Sequence, residues 1–490
     1  MKLSELLTNS KTEYTVIGNT DIEVSDITFD SRRAVGGTMF FCLVGSASDG
    51  HNYAKSAYDS GCRVFAVSRE LELPSDAVVV RFENTRQALP YVSAAFFGRP
   101  ADRMKIIGIT GTKGKTSIAS MIADCLSRSG VPCGYIGTSG VDYAGLHFET
   151  KNTTPESLEL HRTFSNMLNS GVDICVIEVS SQALFNYRVD GIEFFAALYT
   201  NLSPDHIGPT EHPDFEHYKS CKKRLFSLCK TGIFNSDDDY FPDMSRDCSG
   251  KVVTYGIKSG ADYGAKNISP YSTSDMLGIS FTACTPTGEY DITLPVPGEF
   301  SVLNTLAFIA VCDTLGVDTE RVTGALRDMR IRGRFEAIPL FGDRLFVIDY
   351  AHNEISMRTL LETVRTYNPK RIVTLFGSVG DRTKTRRAGL GSVCNELSDF
   401  SVITSDNPGC ESPEGIIDEI ASYFSNEGKY IKIADRAEAV RYAVRESKPG
   451  DVVLLCGKGH EDYQLIGKEK VPFCERDILL DEYTRITENK

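Results

Sequence analysis

Along most of this chain, short apolar runs are each followed by a turn and then by a stretch with helical spacing. From residue 104 onward, MKIIGIT, VPCGYIG and VDICVIEVSS read as buried strands. Ser117–Leu126, stopping near Gly130, and SLELHRTFSNMLNSG read as helices. That alternation predicts a mostly parallel sheet flanked by helices. The first hundred residues read as short strands and helices that end in a polar, proline-containing stretch, Gly98–Met104, which marks a boundary. Gly250–Pro297 is richer in strand and turn residues, and Ser301–Leu315 and Thr319–Met329 then read as helices. Gly333, in IRGRFEAI, suggests a hinge into a third alternating unit. Its strands are RLFVIDYA, RIVTLFGSVG, FSVITSDNP and VVLLCGKGH, with helices at Ile355–Tyr367 and through Leu397.

The most informative junction is ITGTKGKTSI, at Ile109–Ile118, where a buried strand turns through glycines into a helix. Such a turn offers backbone N–H groups and the positive helix end to an anion. Lys115 can reach terminal phosphates, and the Thr116 hydroxyl can bind Mg²⁺. The loop departs from G-x-x-x-x-G-K-[ST], because Ile109 holds the first glycine position and the additional glycines are Gly108 and Gly111. The strand–loop–helix setting points to nucleotide binding over an ordinary glycine turn.

Composition narrows the class. At 490 residues the chain exceeds one hydrophobic core, so several domains are expected. A formal net charge of -13 argues against a nucleic-acid surface. No apolar stretch approaches the ~20 residues that span a bilayer, and MKLSELLTNSKTEY shows no secretory signal. The cysteines lack C-x-x-C spacing, and most, such as Cys175, Cys312 and Cys456, lie in apolar runs. A reduced cytoplasmic protein is expected, with no nucleic-acid or membrane partner.

Further candidates sit at strand ends, where open parallel sheets place their ligands. Glu178 ends VDICVIE beside the phosphate loop and is placed to bind Mg²⁺ directly or through water. Asp205 and His206 end FFAALYTNLSPDH, a weaker signal alone. In EHYKSCKKRLF, the cations Lys219, Lys222, Lys223 and Arg224 read from composition as a solvated basic face. In the third unit VGDRTKTRR, SDNPG and CGKGHEDYQ each follow an apolar strand; Arg382 and Arg387 suit a carboxylate or phosphate.

Together these segments resemble, end to end, the Mur ligase family, and within it the MurE-type ligases. The resemblance implies an α/β chain of three domains. These are a smaller N-terminal UDP-binding domain at 1–100, a central P-loop-type parallel-sheet ATPase domain at 101–331, and a C-terminal Rossmann-like, amino-acid-binding domain at 332–490. It implies ATP-dependent addition of an amino acid to the D-glutamate of UDP-N-acetylmuramoyl-L-alanyl-D-glutamate through an acyl phosphate, by a monomer using ATP and Mg²⁺. Ser31, in Asp30-Ser31-Arg32, and the stretch Ser46, Ala47 and Ser48 match contacts to the uridine nucleotide. Gly111, Thr112, Lys113, Gly114, Lys115, Thr116 and Ser117 match the ATP loop, and Asn304, Arg334 and Asp349 match further nucleotide contacts. Asn152, Thr153, Thr154, Ser180, Asn186 and Arg188 match the site for the muramoyl dipeptide. Thr116, Glu178, His206 and Lys222 match the metal region, with Lys222 as a carbamylated lysine (N6-carboxylysine) that can hold a second Mg²⁺. Lys115, Lys222 and His206 carry the catalytic roles. Arg382, Asp406, Asn407, Pro408, Gly409, Gly457 and Glu461 match the site for the incoming amino acid.

Three departures stand out. IGPTEHPDFEH, residues 207–217, is longer than the usual spacing, and Asn353-Glu354 replaces the family's T-P-D. Gly409 stands where ligases selecting meso-diaminopimelate carry an arginine that pairs with the distal carboxylate, so L-lysine or L-ornithine is the expected substrate. Two other readings compete. One is a MurF-type or folyl-polyglutamate-type carboxylate–amine ligase; the other is a non-catalytic UDP-sugar-binding paralogue, against which the joint presence of Lys115, Thr116, Glu178, His206 and Lys222 argues.

Overall fold

The computed structural model describes residues 1–490 apart from 46–47, 206, 209–210, 259, 274, 330, 382–383 and 489–490. Two compact units divide the chain, residues 1–264 with 304–322 and residues 265–303 with 323–490.

The first unit holds two sheets. Near the N-terminus, Asp26–Thr28, Thr38–Phe41, Val64–Val67 and Val78–Arg81 pair in parallel, and Thr15–Ile17 adds an antiparallel edge. Leu3, Leu6 and Leu7 of the first helix and Leu89 and Val92 of helix Thr85–Phe96 bury one face of this sheet.

The larger sheet has eight strands. Its parallel part runs Lys251–Tyr255, Thr231–Asn235, Ala196–Tyr199, Lys105–Thr110, Ile174–Glu178 and Cys133–Gly137. A hairpin, Gly140–Tyr143 and Leu146–Phe148, closes one edge. Lys105–Thr110 and Ile174–Glu178 sit centrally and are apolar on both faces, as strands buried between helices must be. Their register sets Glu178 opposite Ile109, so the carboxylate emerges where the phosphate loop begins. Helix Lys115–Arg128 leaves that loop with Ile118, Met121, Ile122, Cys125 and Leu126 turned inward, and Gly130 at φ +73° follows its end.

In the second unit, Glu336–Leu340 pairs antiparallel with Arg344–Asp349, and Asp451–Cys456, Arg371–Phe376, Phe400–Ile403 and Tyr430–Lys432 extend the sheet in parallel. The strand-rich stretch read at Gly250–Pro297 is divided. Lys251–Tyr255 edges the eight-stranded sheet, whereas Gly264–Thr273, Met276–Thr285 and Gly288–Leu294 form a separate three-stranded sheet. Tyr367 OH donates to the Gly278 carbonyl, one contact that groups this small sheet with the second unit. The helix expected over Thr319–Met329 is α-helical only over Thr319–Gly324 and tightens to a 3₁₀ turn at Ala325–Asp328. Among the described residues, no helix is long and apolar enough to cross a membrane.

Candidate active site

Gly111, Thr112 and Lys113 of the phosphate loop are braced by the segment that follows strand Ala196–Tyr199. Gly111 has φ +147°, and a Cβ there would collide with Thr200 Oγ1, so only glycine permits this approach. Thr112 N–H donates to Asn201 O at 2.9 Å, and Lys113 N–H donates to Asn201 Oδ1 at 2.9 Å. The loop's shape is thereby fixed from within, leaving the first-turn N–H groups of helix Lys115–Arg128 to meet an anion, since they have no intrahelical acceptor. Lys115 Nζ folds back onto the carbonyls of Gly111 (2.8 Å) and Thr112 (3.2 Å). Ser117 lies in the same first helical turn, and Asn304 flanks the loop, its Oδ1 in van der Waals range of a Cβ built at Gly114.

Glu178 is fully buried and holds the centre of a second cluster. Its Oε1 accepts from Tyr135 OH (2.7 Å) and Thr138 N–H (2.9 Å), and its Oε2 accepts from Thr116 Oγ1 (2.8 Å). Two hard oxygen donors thus meet beside the phosphate loop, a set suited to Mg²⁺. Thr154 Oγ1 donates to the Glu178 carbonyl at 2.8 Å and accepts from Ser180 N–H at 3.0 Å. Thr153 Oγ1 lies 3.1 Å from Thr138 Oγ1. Arg188 pairs with Glu156 at 2.9 Å and donates to Thr154 O at 3.0 Å, while Asn186 Nδ2 donates to Gln182 O. The structure therefore gathers Thr153, Thr154, Ser180 and Arg188 around the strand end that carries Glu178; Asn152 is exposed on the same loop. Ser31 opens a 3₁₀ turn capped by Asp30, and Ser48 O accepts from Gly45 N–H; both lie in the N-terminal part. Ser46, Ala47, His206 and Arg382 lie outside the described residues.

The basic helix is not a solvated face. Lys222 is only 2 % exposed, and its Nζ donates to Gly111 O at 2.8 Å and lies over the Tyr218 ring. Burial, reinforced by the Lys115 ammonium, holds its amine well below the ordinary lysine range. Its neighbours pair with acids instead of water alone: Lys219 with Glu216 and Asp243, Lys223 with Asp243 and Asp247, and Arg224 with Asp190. Those acids are separated from the helix in sequence or alternate around it, which hid the pairing from a composition count.

In the second unit, the strand ends of the parallel sheet meet at Asp406, Asn407, Gly457 and Glu461. Gly457 has φ +107° and approaches Asp406 Oδ2 closely. Lys458, which the sequence reading passed over, is fully buried between them. Its ammonium reaches Asn407 Oδ1, Glu461 Oε2 (3.1 Å), Tyr463 O (2.7 Å) and Asp406 Oδ1 (3.5 Å). A lysine between two glycines after an apolar strand was the available signal. Arg436, also buried, donates to Ser405 O, Cys456 O and Glu475, fixing two of these strand ends. Arg334 lies over the Tyr350 ring at 4.6 Å. Asp349 accepts the N–H groups of Phe335 and Ala351, and burial of its carboxyl raises its pKa against the pull of Arg334.

Two expectations about substrate-binding cations change. Arg387 does carry carboxylate partners, but they are internal: Glu411 holds it through two 2.8 Å contacts and Glu419 through one of 2.7 Å. Gly409, next to Pro408, is glycine for a backbone reason. Its φ is +59°, a Cβ would collide with Asp381 Oδ2, and its N–H and C=O pair with Leu465 and Gly467.

Residues 109–312 match the Mur ligase middle domain, and residues 333–459 match the Mur ligase glutamate ligase domain. A UDP-N-acetylmuramoyl-L-alanyl-D-glutamate–2,6-diaminopimelate ligase of Caldanaerobacter subterraneus subsp. tengcongensis is 37% identical over 98% of both chains. A protein of the same name from Clostridium botulinum is 36% identical over 95% of this chain and 96% of its own. A solved structure of a ligase of that name superposes with a TM-score of 0.74 at 25% identity, covering 99% of each chain.

Proposed function

Since this chain belongs to the Mur ligase family of ATP-dependent, amide-forming ligases, we propose that it joins a free diamino acid to the D-glutamate of UDP-N-acetylmuramoyl-L-alanyl-D-glutamate in peptidoglycan precursor synthesis, as a cytoplasmic monomer with a UDP-binding domain at 1–100, an ATP-binding domain at 101–331 and an amino-acid-binding domain at 332–490. The observation that carries this reading is the meeting of Thr116 with Glu178, which sets a phosphate loop against a buried carboxylate and the Thr154, Ser180 and Arg188 cluster.

In the reaction, a carboxylate oxygen of the D-glutamate attacks the γ-phosphorus of ATP, and the bond to ADP breaks. The amine of the incoming amino acid then attacks the acyl carbon, expels inorganic phosphate and loses a proton. The first step brings two anions together. Lys115 would leave its loop carbonyls for the transferring phosphoryl, and Arg188, partly neutralised by Glu156, would orient the substrate carboxylate. Mg²⁺ held by Thr116 and Glu178 would supply positive charge to the phosphate oxygens.

Lys222 is proposed to be carbamylated, which requires a neutral amine to attack CO₂. Its burial and lowered pKa support that chemistry, and the resulting carbamate would replace a buried neutral amine with an anion facing the Lys115 ammonium.

For the amino acid, Gly409 brings no side chain, Arg387 is engaged by Glu411 and Glu419, and the carboxylate of Asp381 occupies the space a side chain at 409 would need. An aspartate there favours a distal ammonium over a distal carboxylate, and therefore L-lysine or L-ornithine over meso-diaminopimelate. ADP release from the UDP-dipeptide with each amino acid tests the whole reading. A folded Lys115→Ala variant should show none, and ADP release near the wild-type rate would remove the assignment.

A further inference from the structure

The lengthened segment 207–217 delivers a group of soft and borderline ligands that the ligase reaction does not use. His217 and Cys221 stand one helical turn apart on helix Phe215–Lys223, and His212 reaches the same point from the preceding loop. We propose that His212, His217 and Cys221 bind one zinc-class divalent ion, with its fourth position open to water.

Geometry supports the set. The candidate ligand atoms of the three residues all lie within 4.8 Å of one another. His212 Nδ1 and His217 Nδ1 are 2.8 Å apart, and Cys221 Sγ is 3.8 Å from His217 Nδ1. In a tetrahedral zinc site the corresponding separations are about 3.3 Å between nitrogens and about 3.6 Å from nitrogen to sulfur. Small side-chain rotations therefore suffice. Without an ion, two ring nitrogens at 2.8 Å must share a proton, because two lone pairs repel.

The surroundings favour the bound form. His212 Nε2 lies 2.8 Å from Ser181 Oγ; donation there would place the proton on Nε2 and leave the Nδ1 lone pair for the ion. His212 and Cys221 are buried, Phe185 packs edge-on against both histidine rings, and Tyr218 packs on His212. Binding would release the Cys221 thiol proton to solvent as the thiolate–metal bond forms. A nitrogen–sulfur set discriminates against Mg²⁺, which the oxygen pair Thr116 and Glu178 suits. The ion would fasten the loop before Asp214 to the helix that carries Lys222, one residue beyond Cys221.

The test uses the full chain, stripped with chelator and titrated with Co²⁺ in millimolar Mg²⁺. One equivalent should produce a thiolate-to-cobalt charge-transfer band that added Zn²⁺ abolishes. Cys221→Ser should eliminate the band, His217→Asn should weaken Co²⁺ binding at least tenfold, and Cys284→Ser, on the three-stranded sheet of the second unit, should leave both unchanged. Circular dichroism checks each fold, and His217→Asn carries the test if the serine variant does not fold. No charge-transfer band in the folded wild type, or a band that survives Cys221→Ser, overturns the proposal. The readout involves neither ATP nor UDP-dipeptide, so it stands or falls apart from the ligase reading.

Discussion

Thr116 Oγ1 donates a 2.8 Å hydrogen bond to Glu178 Oε2, joining the first turn of the phosphate-loop helix to the end of the neighbouring parallel strand. Residues 62 positions apart thereby become one polar site. The contact also pre-organises the carboxylate: Tyr135 and Thr138 hold its other oxygen, so the side chain has little freedom left to lose when a cation arrives.

Glu178→Gln tests that site. The amide keeps the shape but cannot accept at both ends, and it carries no charge for Mg²⁺. ADP release should fall about 10²–10³-fold, the scale seen when one electrostatic partner of a transition state is removed. Far-UV circular dichroism should match the wild type, and activity within tenfold would reject the metal role.

The depressed pKa of Lys222 fixes the sign of a pH effect. Above the folded pKa the buried amine is neutral and reacts with CO₂; as pH falls through it, protonation withdraws the nucleophile. Carbamate occupancy, followed by ¹³C NMR with labelled bicarbonate, should decline toward acid and recover with added bicarbonate. Activity should follow it. Lys222→Ala should be inactive and deaf to bicarbonate. A bare lysine in a fully active enzyme would end the carbamate proposal.

Much of this was legible because it is local. The apolar runs before Thr110 and Glu178 and the glycines at 111 and 114 announce strand, turn and helix in consecutive residues. What stayed hidden depends on distant partners. Lys222 looks solvated until the Gly111 carbonyl is placed above it, and Arg387 looks available until Glu411 and Glu419 arrive from beyond the next strand. Arg436 was silent for the same reason, since its acceptors come from several strand ends, and the glycines around Lys458 mark its position without revealing its partners.

Arg436 gives a stability prediction. Truncation to alanine would leave Glu475 buried with its charge unmatched and two carbonyls without a donor. Removing one partner of such a pair costs about 3–5 kcal/mol. Urea denaturation should show that loss, whereas Lys2→Ala, which breaks an exposed pair with Asp21, should shift the midpoint little.

Substrate choice is decided by competition. With equimolar L-lysine, L-ornithine and meso-diaminopimelate, product mass should show a diamino acid without the distal carboxylate in excess. Dominant diaminopimelate product would show that the inference from Gly409 and Asp381 is wrong. Asp381→Asn should narrow the preference, because the site loses the charge that favours an ammonium.

Gly409 also constrains how this loop can evolve. Glycine and arginine codons lie a single base apart, so an arginine at 409 is mutationally near. Yet φ is +59°, the Asp381 carboxylate stands where a Cβ would go, and the backbone is pinned to Leu465 and Gly467, so the nearest genetic step meets a strained backbone. An arginine there would carry that strain and turn the Asp381 side chain away from the Cys410 N–H that now donates to it. A single base change at codon 409 would thus bring backbone strain and the loss of that hydrogen bond together.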